Sequence, residues 1–332
     1  KWNKNNFSIY KSEEKTVLKL IEKLNKFVGN ELVQEVDKKI GQGDDFRGSW
    51  YGIAKPTQSN EGLSGTVDQH QIIIESNEIN FLGYIYQKQI DVTENYDFAL
   101  ESAINYCIEN NKSLFIPNGN YKLTRGIVIE RTGNINLNIR GESKIGTILN
   151  FALGGLTFTS SIKQINYETR ITQVNISDLS IIGGSKTGNG LAFEYFGYIQ
   201  TRNLLIKGFN KGLSLVDGSE FDDYNSQIYS NTIGIYFNKT TPDGNSDLAN
   251  INFLGTRVYS NDNTVISESV REVKFDGCAL MSYIGGLKFN GISNVVNFVS
   301  CDFENIEGTN DLILDGYGTF NIMNCVFANP HP

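Results

Sequence analysis

Residues 174–181 read Val174-Asn175-Ile176-Ser177-Asp178-Leu179-Ser180-Ile181, and the frame they set, apolar-x-apolar-x-x-small-x-apolar, returns six more times. It recurs as Ile199/Thr201/Leu204/Ile206, Phe221/Asp223/Ser226/Ile228 and Ile251/Phe253/Thr256/Val258. Val273/Phe275/Cys278/Leu280, Val296/Phe298/Cys301/Phe303 and Phe320/Ile322/Cys325/Phe327 complete it. The last positions are separated by 25, 22, 30, 22, 23 and 24 residues. A second strand keeps step at Leu191/Phe193, Leu213/Leu215, Ile235/Phe237, Leu287/Phe289 and Leu312/Leu314, usually entered through a glycine (Gly190, Gly212, Gly234, Gly286). Short alternating strands at this period, with Gly, Asn and Asp at the corners and no helical segment between them, predict a solenoid of parallel β-helix type. Each coil then buries its apolar face only against its neighbours.

The frame places Cys278, Cys301 and Cys325 in one inward column on consecutive rungs. Such a column reads as small buried hydrophobes rather than a metal site, since no CxxC-like spacing is present, and disulfides are not expected.

Composition agrees with a β-rich, turn-rich chain: 332 residues, 33 Gly, 5 Pro, 20% charged and 11% aromatic. A net charge of −8 lacks the basic stripe of a nucleic-acid binder. Neither an apolar run long enough for a membrane span nor a signal-peptide pattern occurs. The chain opens at Lys1 and stops at Pro332, just after a complete rung, and reads as a fragment of a longer polypeptide.

Ahead of the repeats, residues 1–40 form an N-terminal helical segment. Val17, Leu20, Ile21, Leu24, Phe27 and Val28 recur at helical steps behind Ser12, then Leu32, Val33, Val36 and Ile40 continue the pattern. A helical hairpin and an inter-subunit bundle are both compatible with it. Residues 41–90 are an irregular connector, with six glycines between 41 and 65, aromatic anchors Phe46, Trp50 and Tyr51, and a strand starting at Gln71. His70 has no second His or Cys nearby and reads as a loop residue. Residues 91–332 are the β-helix, with a capping helix at about 95–110 whose Phe98, Ala103, Ile104 and Cys107 fall towards one side.

That helix is followed by Ser113-Leu114-Phe115-Ile116-Pro117-Asn118-Gly119-Asn120-Tyr121, an apolar strand ending in Pro before a Gly-x-Tyr turn. The entry resembles that of the pectate-lyase-like right-handed parallel β-helix superfamily, where a lid covers the open solenoid end. Together with Gly48-Ser49-Trp50-Tyr51-Gly52 and the N-terminal helix, the layout resembles bacteriophage tailspike proteins and the pre-neck appendages of short-tailed phages of Gram-positive hosts. The resemblance implies a homotrimer on the virion, assembled in the host cytoplasm. Its residues 1–90 would attach to neck, collar or tail proteins, and its β-helix would meet a cell-wall polymer, with wall teichoic acid first and a capsule-like polysaccharide second. It does not extend to the calcium and arginine constellation of pectate lyases.

The frame also breaks. Asp223 holds a slot that is otherwise apolar or Thr, within the acidic run Glu220-Phe221-Asp222-Asp223-Tyr224, and the following coil is the longest because a segment containing Asp243 and Asp247 is inserted at its corner. A buried carboxylate needs partners, and loops on a rigid solenoid concentrate function. Glu220, Asp222, Asp223, Asp243 and Asp247 are therefore the candidate catalytic carboxylates. Outward columns set Tyr224 in line with Asp276 and Asp222 with Lys274, so Tyr224, Arg257, Lys274 and Asp276 are candidate substrate contacts along a groove. Paired carboxylates suit glycoside hydrolysis, whereas carboxylates beside Arg and Lys suit a phosphodiester, with a divalent metal ion as an open possibility. A non-catalytic adhesive spike stands beside both.

Overall fold

A computed structural model describes residues 77–163, 168–240, 248–282, 284–305 and 312–328. The N-terminal helix, the glycine-rich connector up to residue 76, His70, Asp243 and Asp247 lie outside the described residues.

Within the compact unit Asn77–Pro332 the chain winds as a three-sided parallel solenoid. The first face stacks Ile127–Glu130, Leu156–Thr159, Asn189–Glu194, Lys211–Val216, Ile233–Asn238 and Asn263–Ser267. The second stacks Ser113–Ile116, Gly133–Gly141, Ile171–Ser177, Phe196–Arg202, Ser219–Tyr224, Ala249–Leu254 and Val270–Asp276. The third is a separate sheet running from Gly119–Leu123 to Val326–Ala328. In the long strands Leu287–Val299 and Leu312–Met323 the first and second faces merge, joining both ladders into one sheet.

Register follows from the alternation read in the sequence, since a slip of one residue would turn every apolar side chain outward. On the second face Ile199, Phe221, Ile251, Val273 and Val296 align inward on consecutive rungs. Phe253, Phe275 and Phe298 stack beside them, with ring centroids 5.0 and 5.3 Å apart. Each ring so buried contributes roughly 1.5–3 kcal/mol. The second-to-third corner is one left-handed residue per coil: Asp178, Asn203, Asn225, Gly255, Gly277, Ser300 and Asn324. Asn, Asp and Gly dominate there because they tolerate that backbone. At the third-to-first corner Asn231 and Asn261 are fully buried, and their side-chain amides satisfy the backbone of Phe209, Ile206 and Ile228.

The glycines that open the first-face strands have a steric cause. A Cβ at Gly212 would lie 2.6 Å from Ile228 Cγ2 and 2.8 Å from the Gly234 carbonyl oxygen, so the corner closes only without one. Cys278 and Cys301 are buried, their thiols donating at 3.4 Å to the carbonyls of Phe253 and Phe275, and all four cysteines are free.

Two helices close the entry end: α1, Phe81–Lys88, and α2, Asp97–Glu109. Helix α2 packs Ala99, Leu100, Ala103, Ile104 and Cys107 inward, but Phe98 stands 66% exposed, one position off the buried stripe. Asp97 ties this cap to the first coil by accepting from the Thr124 backbone amide at 2.8 Å and from the Thr124 hydroxyl. Solenoid structure starts before residue 91: strand Glu78–Asn80 pairs with Ser113–Ile116, and Ile79 and Phe81 are core residues. None of the described helices is long and apolar enough to cross a membrane.

Candidate active face

On the second face the outward positions form a grid. Gln200, Asp222, Asn252 and Lys274 occupy one column, and Arg202, Tyr224, Leu254 and Asp276 the next. Asp222, Tyr224, Lys274 and Asp276 thus share one surface, with Asp222 and Lys274 two rungs, about 9.6 Å, apart. Asp222 accepts from the Asn252 side-chain amide at 2.9 Å. Lys274 donates to Asp276 at 2.8 Å, so its charge is engaged within its own strand.

Two expected members are elsewhere. Arg257 follows the left-handed corner at Gly255 and is exposed on the third face, in line with Gln227 and Ala279, so it does not share the surface of Asp222. Asp223 points into the core at 2% exposure, which removes it from the candidate catalytic carboxylates. One of its oxygens accepts from the Thr201 and Ser226 hydroxyls, each at 2.6 Å, and the other from the Thr256 hydroxyl. Burial pushes its pKa above the ordinary carboxylate value, opposed by those hydroxyls and the Ser226 amide. The island fits the frame, because Thr201, Ser226 and Thr256 fill adjacent inward slots on three successive rungs.

A third outward column was hidden from sequence reasoning. Asn136, Gln173, Tyr198, Glu220 and Asn250 each have positive φ, between 43° and 60°, at matching places on five consecutive rungs. Asn adopts that backbone readily, but Tyr and Glu do so at a cost of about 1 kcal/mol or more. Tyr198 and Glu220 occupy neighbouring rungs there, Tyr198 at 56% exposure and Glu220 half-buried with Oε2 enclosed and without a hydrogen-bond partner. The residue before Glu220, Ser219, accepts from Arg170 Nη1 at 2.7 Å, and Arg170 lies along Gly197, where a side chain is absent.

These two rungs are bracketed. The corner between first and second faces is Tyr195 alone on the Tyr198 rung and Asp217-Gly218 on the Glu220 rung, whereas residues 160–170 and 239–248 are inserted at the same corner just before and after. The insertion near Asp243 therefore has a counterpart three rungs earlier in the chain. Its root is pinned: buried Asp217 accepts from the Thr240 amide at 3.1 Å and from its hydroxyl, which also lies 3.3 Å from the Tyr195 hydroxyl. Glu220 and Asp222, two residues apart on one strand, have Cα atoms about 6.6 Å apart. A pair of carboxylates on one face is the set of groups that glycoside hydrolysis uses. Among the described residues no three His, Cys, Asp or Glu side chains gather as a metal ion would require, and no step is assigned to one.

No protein-family model and no curated protein matches the sequence. Among solved structures, Geobacillus virus E2 ORF18 superposes with a TM-score of 0.53 at 16% identity, over 82% of this chain. The solenoid shares its fold with a viral protein. This chain spans 65% of that one. The Dettilon tailspike protein gives a TM-score of 0.49 at 13% identity, over 73% of this chain and 47% of its own. The tailspike of Pseudomonas phage LKA1 gives 0.41 at 11% identity, over 74% and 60%. At 16% identity the likeness to the Geobacillus virus protein is one of fold alone.

Proposed function

We propose that the protein is a phage virion tailspike or appendage whose β-helix recognises and hydrolyses a Gram-positive cell-wall polymer during adsorption. The supporting observation is the placement of Glu220 and Asp222: two outward carboxylates on one strand, beside Tyr198 and Tyr224, on the rungs that the two corner insertions bracket. Glu220, with one oxygen shielded, is assigned the proton donor to the leaving oxygen. Asp222, held by Asn252, is assigned the opposite face of the bond as base or nucleophile. Tyr198 and Tyr224 supply surfaces on which a sugar ring packs.

Wall teichoic acid is the polymer implied by the sequence resemblance, and a capsule-like polysaccharide is the alternative. In this reading the spike is a homotrimer on the virion, assembled in the host cytoplasm and joined to neck or tail proteins through its N-terminal part. The test is incubation of the purified chain with wall teichoic acid and, separately, with wall and capsular polysaccharides, following chain length on gels with and without chelator. Shortening of either polymer supports the enzyme. Binding with unchanged chain length would make the protein an adhesin.

A further inference from the structure

The outward column that contains Asp222 extends far beyond the carboxylate pair. Asn138, Asn175, Gln200, Asp222, Asn252, Lys274, Asn297 and Asn321 lie in register on eight successive rungs. All eight are exposed or half-buried, and six are amides. At the strand spacing of about 4.8 Å the column is about 34 Å long. Neighbouring members orient one another: Asn252 Nδ2 donates to Asp222 at 2.9 Å and Asn321 Nδ2 to Asn297 at 2.8 Å. A side-chain amide carries two N–H donors and a carbonyl with two lone pairs, so each retains capacity towards solvent after such a bond.

The charges beside the column are already matched. Arg140 reaches both oxygens of Glu78 at 3.1 Å, Arg202 lies 3.4 Å from Asp178, and Lys274 is 2.8 Å from Asp276. With Glu220, Asp222 and the exposed Arg271 and Glu272 of strand Val270–Asp276 added, four cations face six carboxylates, leaving a net charge of −2 on this surface, inside a chain of net charge −8. A polyanion would have to displace those pairs and approach a surface of its own sign. Hydroxyl groups, which both donate and accept, meet amides without that penalty, and a rung repeat is close to the length of one sugar ring.

From this we infer that the second face is a track for an uncharged, polyhydroxylated chain, a neutral glycan lying along the solenoid axis and crossing Glu220 and Asp222 near its middle. The inference rests on the proposed recognition of a cell-wall polymer and narrows its class, favouring the polysaccharide alternative over wall teichoic acid.

The test is binding of the purified chain to an array of neutral and anionic bacterial polysaccharides together with a glycerol phosphate polymer. It is repeated between 50 and 500 mM salt and with Asn175→Ala and Asn297→Ala, which lie away from the carboxylate pair. The expected result is binding to a neutral glycan that changes less than twofold with salt. It should be weakened about threefold to tenfold by each substitution at unchanged thermal stability, and tighten with glycan length up to the track. Binding to the glycerol phosphate polymer alone, falling steeply with salt, would overturn the track while leaving cell-wall recognition standing. Neutral-glycan binding indifferent to both substitutions would also overturn it. Binding to nothing on the array would overturn both.

Discussion

Replacing Asp223 by Asn separates the structural part of the acidic run from the catalytic part proposed for its neighbours. Asp223 is buried, its two oxygens accepting three hydroxyls and one backbone amide. Asn is nearly isosteric. Its carbonyl oxygen keeps the Thr201 and Ser226 bonds, and the Thr256 hydroxyl rotates to accept from the new amide. What disappears is a buried charge. Because desolvation raises the folded-state pKa above 3.8, the folded protein binds the Asp223 proton more tightly than the unfolded chain does. Wild-type stability therefore falls as pH rises above 3.8 and levels once the raised folded value is passed. Each tenfold of extra proton affinity corresponds to about 1.4 kcal/mol. Asn has no proton to lose, so Asp223→Asn gains on the wild type as pH rises above 3.8 until the raised folded value is passed, while every other titrating group cancels in the comparison. Asp223→Ala instead leaves three buried hydroxyls without their acceptor, at about 1 kcal/mol or more each. Its Tm drops by about 6–12 °C. The assay is thermal unfolding of the three proteins at half-unit pH steps. A gap between wild type and Asp223→Asn that does not widen with pH, or that narrows, would refute the buried-charge argument.

Three further outcomes follow from packing and surface. Ser267 occupies the slot of Phe237 and Phe289 with its hydroxyl enclosed and without a partner, so Ser267→Ala raises stability by about 1 kcal/mol in urea unfolding. Gly212→Ala lowers it by about 1–3 kcal/mol, because the new methyl meets Ile228 and the Gly234 carbonyl oxygen. Tyr198→Ala weakens polymer binding about tenfold in affinity electrophoresis without altering Tm, since the ring is mostly exposed.

The solenoid was legible because every coil solves the same burial problem with the same spacing, and the columns drawn from Ile176 and Ile181 match the observed registers. The rung at Asn263–Ser267 escaped because it departs at both markers, with Thr264 in the glycine position and Ser267 in the aromatic one. Helix α1 escaped because Tyr84, Ile85 and Tyr86 read as strand residues. Only the Asn80 side chain, accepting from the Gly83 amide at 3.1 Å, marks its start. At the candidate site, alternation placed Asp222 and Tyr224 outward and Asp223 inward. It did not reveal the face reached after a corner, which is why Arg257 was assigned to the wrong surface. Nor does alternation reveal backbone handedness. The column of Tyr198 and Glu220 exists because five consecutive coils take a left-handed residue there, a backbone feature invisible in a period-2 pattern.

The most direct test of the central claim is the rate at which new chain ends appear when the purified protein meets the polymer it shortens, for wild type, Glu220→Gln, Asp222→Asn and the third-face control Asp302→Asn. The account predicts a loss of about 100-fold or more for each of the first two, at unchanged Tm, and less than twofold for Asp302→Asn. Full activity in Glu220→Gln and Asp222→Asn would place the chemistry elsewhere on the chain and contradict the account.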